Sequence, residues 1–221
     1  MTRRALPALA AAVLLALTGC GSGSGDGGTD AKTTAVSGAT ECPPEGGAKV
    51  RATSFEEAPP MCIDEAKTYT ATLATDAGDV TIELDAEGAP TTVNNFVVLA
   101  RYGYYDGLTF HRVIKDFMVQ GGDPSGDGSG GPGYEFEDEL PQAGDYEIGS
   151  VAMANAGPDT NGSQFFIITG DAGVGLPPSY SLFGKVTEGM DAVEAIEADG
   201  SSGDGAPAKV HRIERVTVSE E

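Results

Sequence analysis

Alternation begins at Lys67. Tyr69, Ala71 and Leu73 in one run and Val80, Ile82 and Leu84 in the next put apolar side chains at every second position, the period of a half-buried strand. Asp76-Ala77-Gly78-Asp79 supplies turn residues between them, so the two runs predict a hairpin. After Pro90-Thr91-Thr92 the period lengthens. Val93, Phe96, Val97 and Ala100 recur at helical spacing up to Tyr102-Gly103, which predicts a first helix. Short β-rich runs follow around Phe110 to Ile114, Phe117 to Gln120, Val151 to Ala154, Phe165 to Thr169 and Leu182 to Val186, separated by glycine-rich turns. Met190, Val193 and Ile196 predict a second helix, and Lys209 to Ser219 a last strand. Many strands and two helices that do not alternate with them point to an antiparallel closed sheet rather than a doubly wound fold.

The N-terminal part reads differently. Arg3 and Arg4 precede the apolar run Ala5 to Leu17, too short to span a bilayer comfortably but suited to the core of a signal peptide, here residues 1–19. That run closes on Leu17-Thr18-Gly19-Cys20, which resembles the bacterial lipobox and implies a diacylglyceryl group on Cys20 as the new N-terminus. An ordinary secretory peptide cut near the same glycine is the alternative. Residues 20–40 are Gly/Ser/Thr-rich and are expected to form a flexible tether, with a reach of roughly 25 Å. Residues 41–66 are Pro-rich and bracketed by Cys42 and Cys62, which predicts an irregular extension. With Cys20 assigned to the lipid, the two remaining cysteines in an oxidising compartment are expected to pair, a closure worth about 3 kcal/mol. Residues 67–221 would then be the folded domain, held at the outer face of a bacterial cell membrane.

Charge removes one class of partner. Against 34 Asp and Glu stand 13 Lys and Arg, for a formal net charge of −21, so nucleic acid is not an expected ligand. The acidity reads as a soluble, self-repelling surface, with monomer as the default state. No cysteine–histidine spacing suggests a metal site, and the only histidines are His111 and His211.

Two segments are dense in special residues: FHRVIKDFMVQGGD (Phe110 to Asp123) and MANAGPDTNGSQFFI (Met153 to Ile167). They resemble the signature strands and loop of the cyclophilins, and FGKVTEGMDAVEAI (Phe183 to Ile196) is similar to the stretch that follows in that family. The resemblance runs from about Lys67 to Ser219. It implies an eight-stranded antiparallel closed β-barrel capped by two α-helices, acting on X-Pro bonds as a peptidyl-prolyl cis/trans isomerase without metal or cofactor. Carried over position by position, Arg112 matches the catalytic arginine, with Phe117, Met118 and Gln120 beside it. Ala154, Asn155 and Ala156 match a run that contacts the substrate backbone, followed by Gln164, Phe166, Leu176 and Tyr180. Where many members carry Trp before that leucine the chain has Gly175, and where many have His it has Tyr180.

The residue types suit the chemistry. Rotation about an imide bond forms and breaks no bond, but it frees a lone pair on the nitrogen, and a fixed cationic donor such as Arg112 stabilises that twisted state. Phe117, Met118, Phe166 and Leu176 would grip the proline ring, and Gln120 and Asn155 the peptide backbone. His111 reads as structural, since isomerisation needs no proton transfer. The alternative function is a module that binds proline-containing segments as a chaperone or adaptor with little turnover.

Overall fold

A computed structural model describes residues 34–221. Along them run β1 (Thr34–Val36), β2 (Ala52–Phe55), β3 (Tyr69–Thr75), β4 (Gly78–Leu84), α1 (Pro90–Arg101), β5 (Arg112–Ile114) and β6 (Met118–Gly121). Then come β7 (Ser150–Met153), β8 (Phe165–Ile168), α2 (Asp171–Val174), β9 (Leu182–Glu188), α3 (Met190–Ala198) and β10 (Ile213–Glu220). The signal run, Cys20 and the tether as far as residue 33 lie outside the described residues.

Eight strands make one antiparallel sheet in the order β10-β3-β4-β9-β7-β8-β6-β5. The predicted hairpin sits within it, pairing Leu73 with Val80 and Ala71 with Ile82, all four buried. Inside the curl of the sheet, Phe96 of α1 meets Tyr105, Phe165 and Phe183 at ring-centroid distances of 5.0, 5.6 and 5.4 Å. Pro90 opens α1, where its missing N–H costs nothing. The Glu139 carboxylate accepts from the Thr91 and Thr92 amides at 2.9 and 2.8 Å, answering donors that the helix start leaves free.

The expected full closure is not a strand ladder. The outer strands β5 and β10 do not pair with each other; the sheet is a curled half-barrel whose edges are stitched by irregular chain. The Phe110 amide donates to the His211 carbonyl at 3.0 Å and the Ile213 amide to Leu108 at 2.8 Å. On β5 itself, the Val113 amide donates to Gly205 at 2.7 Å. A strand of three residues is too short to carry a ladder across that seam. The short helix α2 also went unpredicted, because four residues carry no helical period.

The larger departure precedes the domain. Within the stretch read as tether, Thr34–Val36 form β1, which pairs in parallel with β2. The extension is docked rather than irregular throughout. Ala52, Phe55 and Ile63 join the main core, and the Ala48 and Ala52 amides donate to the carbonyls of Arg101 and Tyr102 at 2.7 and 3.0 Å. These three apolar anchors make the segment part of the core. The Cys42–Cys62 disulfide is present, with Cα atoms 5.4 Å apart. At the same end Lys67 and Arg101 both pair with Glu220 and hold its carboxyl down to about 2. Among the described residues no helix is long and apolar enough to cross a membrane.

Candidate active-site groove

Strand alternation builds the site. On β5, β6 and β8 the side chains of Val113, Val119, Phe165 and Ile167 turn into the main core, so their neighbours face outward. Register then aligns those neighbours. Arg112 lies opposite Gln120, Gln120 opposite Phe166, and Phe166 opposite Ala152, one row across four strands. Ile114, Met118 and Ile168 form the next row.

A relay of hydrogen bonds aims the arginine. Arg112 Nη1 donates to Gln120 Oε1 at 3.1 Å and lies 4.0 Å from the Met118 sulfur. Because a guanidinium only donates, Gln120 must present its oxygen, and its Nε2 then donates to Gln164 Oε1 at 3.0 Å. Gln164 Nε2 in turn donates to the Gly128 and Gly130 carbonyls at 3.0 and 2.8 Å. Each amide orientation is thus fixed by the one before it. Arg112 has no further hydrogen-bonded side chain among the described residues, and its Cζ stands 5.9 Å from the Phe117 ring centre. Behind its stem is Gly205, at φ +94°, where a Cβ would come within 2.5 Å of Arg112 Cγ.

Beside the arginine is an apolar floor. Met118 and Phe166 are buried, with Phe117, Ala154, Leu176 and Tyr180 packed around them. Tyr180 meets Phe166 edge-on at 5.4 Å. Tyr146, which the sequence reading passed over, holds it there: its hydroxyl donates to the Tyr180 carbonyl at 2.7 Å and accepts from the Tyr180 amide at 3.1 Å.

Two adjoining hollows result. One of about 470 Å³ contains Arg112, Met118, Gln120, Phe166 and Tyr180. The other, about 640 Å³, runs along the glycine-rich segment from Gly128 onward and shares Gln120, Gly128, Ala154 and Asn155 with the first. Ala156 and Gln164 line only the second hollow, while Leu176, like Phe117, packs against the apolar floor and lines neither hollow. Asn155 is placed at the junction, but its Nδ2 donates to the Ser179 carbonyl at 2.9 Å. What it offers a ligand is therefore chiefly its backbone, a distinction the residue type does not carry. Asp127 and Asp204 stand at the rim of the smaller hollow and were also missed, since neither belongs to the family motifs.

His111 borders the arginine with neither ring nitrogen hydrogen-bonded among the described residues. Burial is the main cause that pushes its pKa below the usual 6.5. The ring is therefore neutral at neutral pH. Turnover in the groove should therefore not depend on this ring at neutral pH and above. The ring should lower it only below that, as a second cation forms beside Arg112, and His111→Gln should abolish that fall. A titration above pH 7 that His111→Gln removes would contradict this assignment.

Comparison with known proteins agrees with the geometry. The family described as cyclophilin type peptidyl-prolyl cis-trans isomerase/CLD matches residues 70–218. Peptidyl-prolyl cis-trans isomerase A of Mycobacterium tuberculosis is 45% identical over 170 residues, 69% of this chain and 93% of that protein. The human peptidyl-prolyl cis-trans isomerase-like 1 is 49% identical over 128 residues, 56% of this chain and 76% of the relative. Among solved structures, a cyclophilin type isomerase of Cryptosporidium parvum superposes with a TM-score of 0.64 at 34% identity, covering 70% of this chain and 99% of its own. The same protein has been solved in the presence of the dipeptide Ala-Pro, with a TM-score of 0.63.

Proposed function

The chain belongs to the cyclophilin-type peptidyl-prolyl cis-trans isomerases, and from that premise we propose that Arg112 is its catalytic donor and that it works outside the cytoplasm, anchored through a lipid on Cys20. Its reaction is rotation about X-Pro bonds in polypeptides. That rotation crosses a barrier of about 18–20 kcal/mol because it destroys amide resonance. Shortening tens of seconds to milliseconds takes about ten-thousand-fold, roughly 5.5 kcal/mol.

The observation that carries the assignment is the oriented guanidinium beside an apolar floor. With Nη1 committed to Gln120, the remaining N–H groups are available to the imide nitrogen, which accepts only when twisted. A hydrogen bond to a charged group contributes about 1.5–3 kcal/mol. The rest falls to the floor of Phe117, Met118, Phe166 and Leu176. It holds the proline ring and keeps water from the less dipolar twisted amide. Gln120, Gln164 and the backbone of Ala154, Asn155 and Ala156 would hold the flanking peptide, with Tyr180 closing the far edge. Each step runs within one chain, and we read the protein as a monomer.

The extracytoplasmic reading is supported by the Arg3-Arg4 n-region, the apolar run to Leu17, the Cys at position 20 and the disulfide that follows. Cys20→Ala should leave isomerase activity intact and move the protein from the membrane fraction to the soluble one. Continued membrane attachment of that variant would overturn the anchor.

A further inference from the structure

The match to the isomerase family begins at residue 70, yet one wall of the groove is held by chain that precedes it. We propose that residues 34–66 are a positioning element of the active site, acting through Phe55 to fix the half of the groove that receives polypeptide beyond the X-Pro unit. This rests on the isomerase reading above and adds a substrate class, extended chain segments in place of minimal X-Pro peptides.

The wall in question is Gly126-Asp127-Gly128-Ser129-Gly130-Gly131-Pro132-Gly133. A run so rich in glycine has the most backbone entropy to lose and little preference of its own. Its first half is tied by the buried Asp123 carboxylate, which accepts from the Ser125 and Asp127 amides at 2.8 and 3.0 Å. Its far end leans on the extension. The Phe55 amide donates to the Pro132 carbonyl at 2.8 Å. Gly133, at φ +110°, passes so near that a Cβ would lie 2.3 Å from the Phe55 oxygen.

The Phe55 ring, only 2% exposed, organises the rest. It packs against Tyr102, Tyr104 and Tyr134 at 5.3, 6.4 and 6.4 Å. Tyr134 donates to Asn95 Oδ1 at 2.7 Å, and Asn95 Nδ2 donates to the Gly162 carbonyl at 2.8 Å. The Tyr104 hydroxyl meets Ser163 Oγ at 2.9 Å. Two adjoining segments that line the 640 Å³ hollow, Pro132 to Tyr134 and Gly162 to Ser163, therefore touch the aromatic cluster that Phe55 centres. The extension is itself fixed to α1: the Cys62 amide donates to Asn94 Oδ1 at 2.7 Å, and Asn94 Nδ2 to the Pro60 carbonyl at 2.9 Å. A peptide with its X-Pro bond at Arg112 reaches this second hollow only when it continues past that bond.

The test compares two substrates on the full secreted chain, a four-residue X-Pro peptide and a peptide of about ten residues with the same X-Pro unit extended on both sides. Phe55→Ala should raise KM for the long peptide about tenfold, with kcat changing less than about twofold, the pattern of lost uniform binding. The short peptide should lose far less, so the preference for length collapses. Phe55→Leu should restore most of it. Gly133→Ala, which forces the wall off Phe55 without opening the core, should reproduce the KM rise. Equal losses on both peptides, or no change in either variant, would overturn the positioning role while leaving the isomerase intact. A wild-type protein that accelerates neither peptide would remove both.

Discussion

Arg112→Ala should lower kcat and kcat/KM toward X-Pro peptides together, by about 10- to 150-fold, while peptide affinity changes little. The figure is the 1.5–3 kcal/mol of a hydrogen bond to a charged group expressed as a rate. Equal loss in the two constants is the mark of an interaction made only in the transition state. Here the acceptor is an imide nitrogen whose lone pair exists only at the twisted midpoint. Folding stability should hardly move, because Arg112 is half-exposed and its partner Gln120 also faces the groove. Arg112→Lys should recover part of the rate: the charge remains, but one ammonium cannot serve Gln120 and the substrate from a single rigid plane. The check is cis-to-trans exchange beside direct peptide binding. Full activity in Arg112→Ala would end the donor assignment. Loss of affinity at constant kcat would instead mark Arg112 as a docking residue.

Much of this site was legible because local periods and the family motifs agree. Alternation in Tyr69 to Leu84 and helical spacing after Pro90 reappear as β3, β4 and α1, and the outward row Arg112, Gln120, Phe166 follows from register once the strands pair. What stayed hidden belongs to tertiary contact. Gly205 reads as one more loop glycine, although a Cβ there would lie 2.5 Å from Arg112 Cγ. Asn155 occupies the expected position, yet its side chain is committed to Ser179. β1 and β2 are too short to show a period, and the Gly/Ser/Thr composition around Thr34 argues for a tether. Pairing with β2, whose Ala52 and Phe55 are buried in the core, overrules that composition for β1. The consequence of Phe55 for the groove lies in its amide contact with Pro132 together with its ring contacts to Tyr102, Tyr104 and Tyr134, which no spacing encodes.

Neighbouring phenylalanines on β8 should separate stability from activity. Phe165 is fully buried and meets Phe96 and Tyr105 edge-on at 5.6 and 5.7 Å. Phe165→Ala should cost about 3–5 kcal/mol through lost contacts and the cavity left behind. That should appear as a lower urea midpoint at an unchanged slope. The folded fraction should keep kcat/KM within about threefold, because the row that carries Gln120 and Phe166 is not touched. Phe166 points the other way, onto the groove floor between Met118 and Tyr180. Phe166→Ala leaves a gap that opens to solvent on one side, so its stability cost should be the smaller. Its kcat/KM should fall about 10- to 150-fold, since the proline ring loses an apolar contact worth about 1.5–3 kcal/mol. Two adjacent residues would then give opposite orders in urea titration and in the exchange assay. If Phe165→Ala lost as much activity per folded molecule as Phe166→Ala, alternation would not insulate the groove from the core. The proline pocket would then depend on packing throughout the sheet.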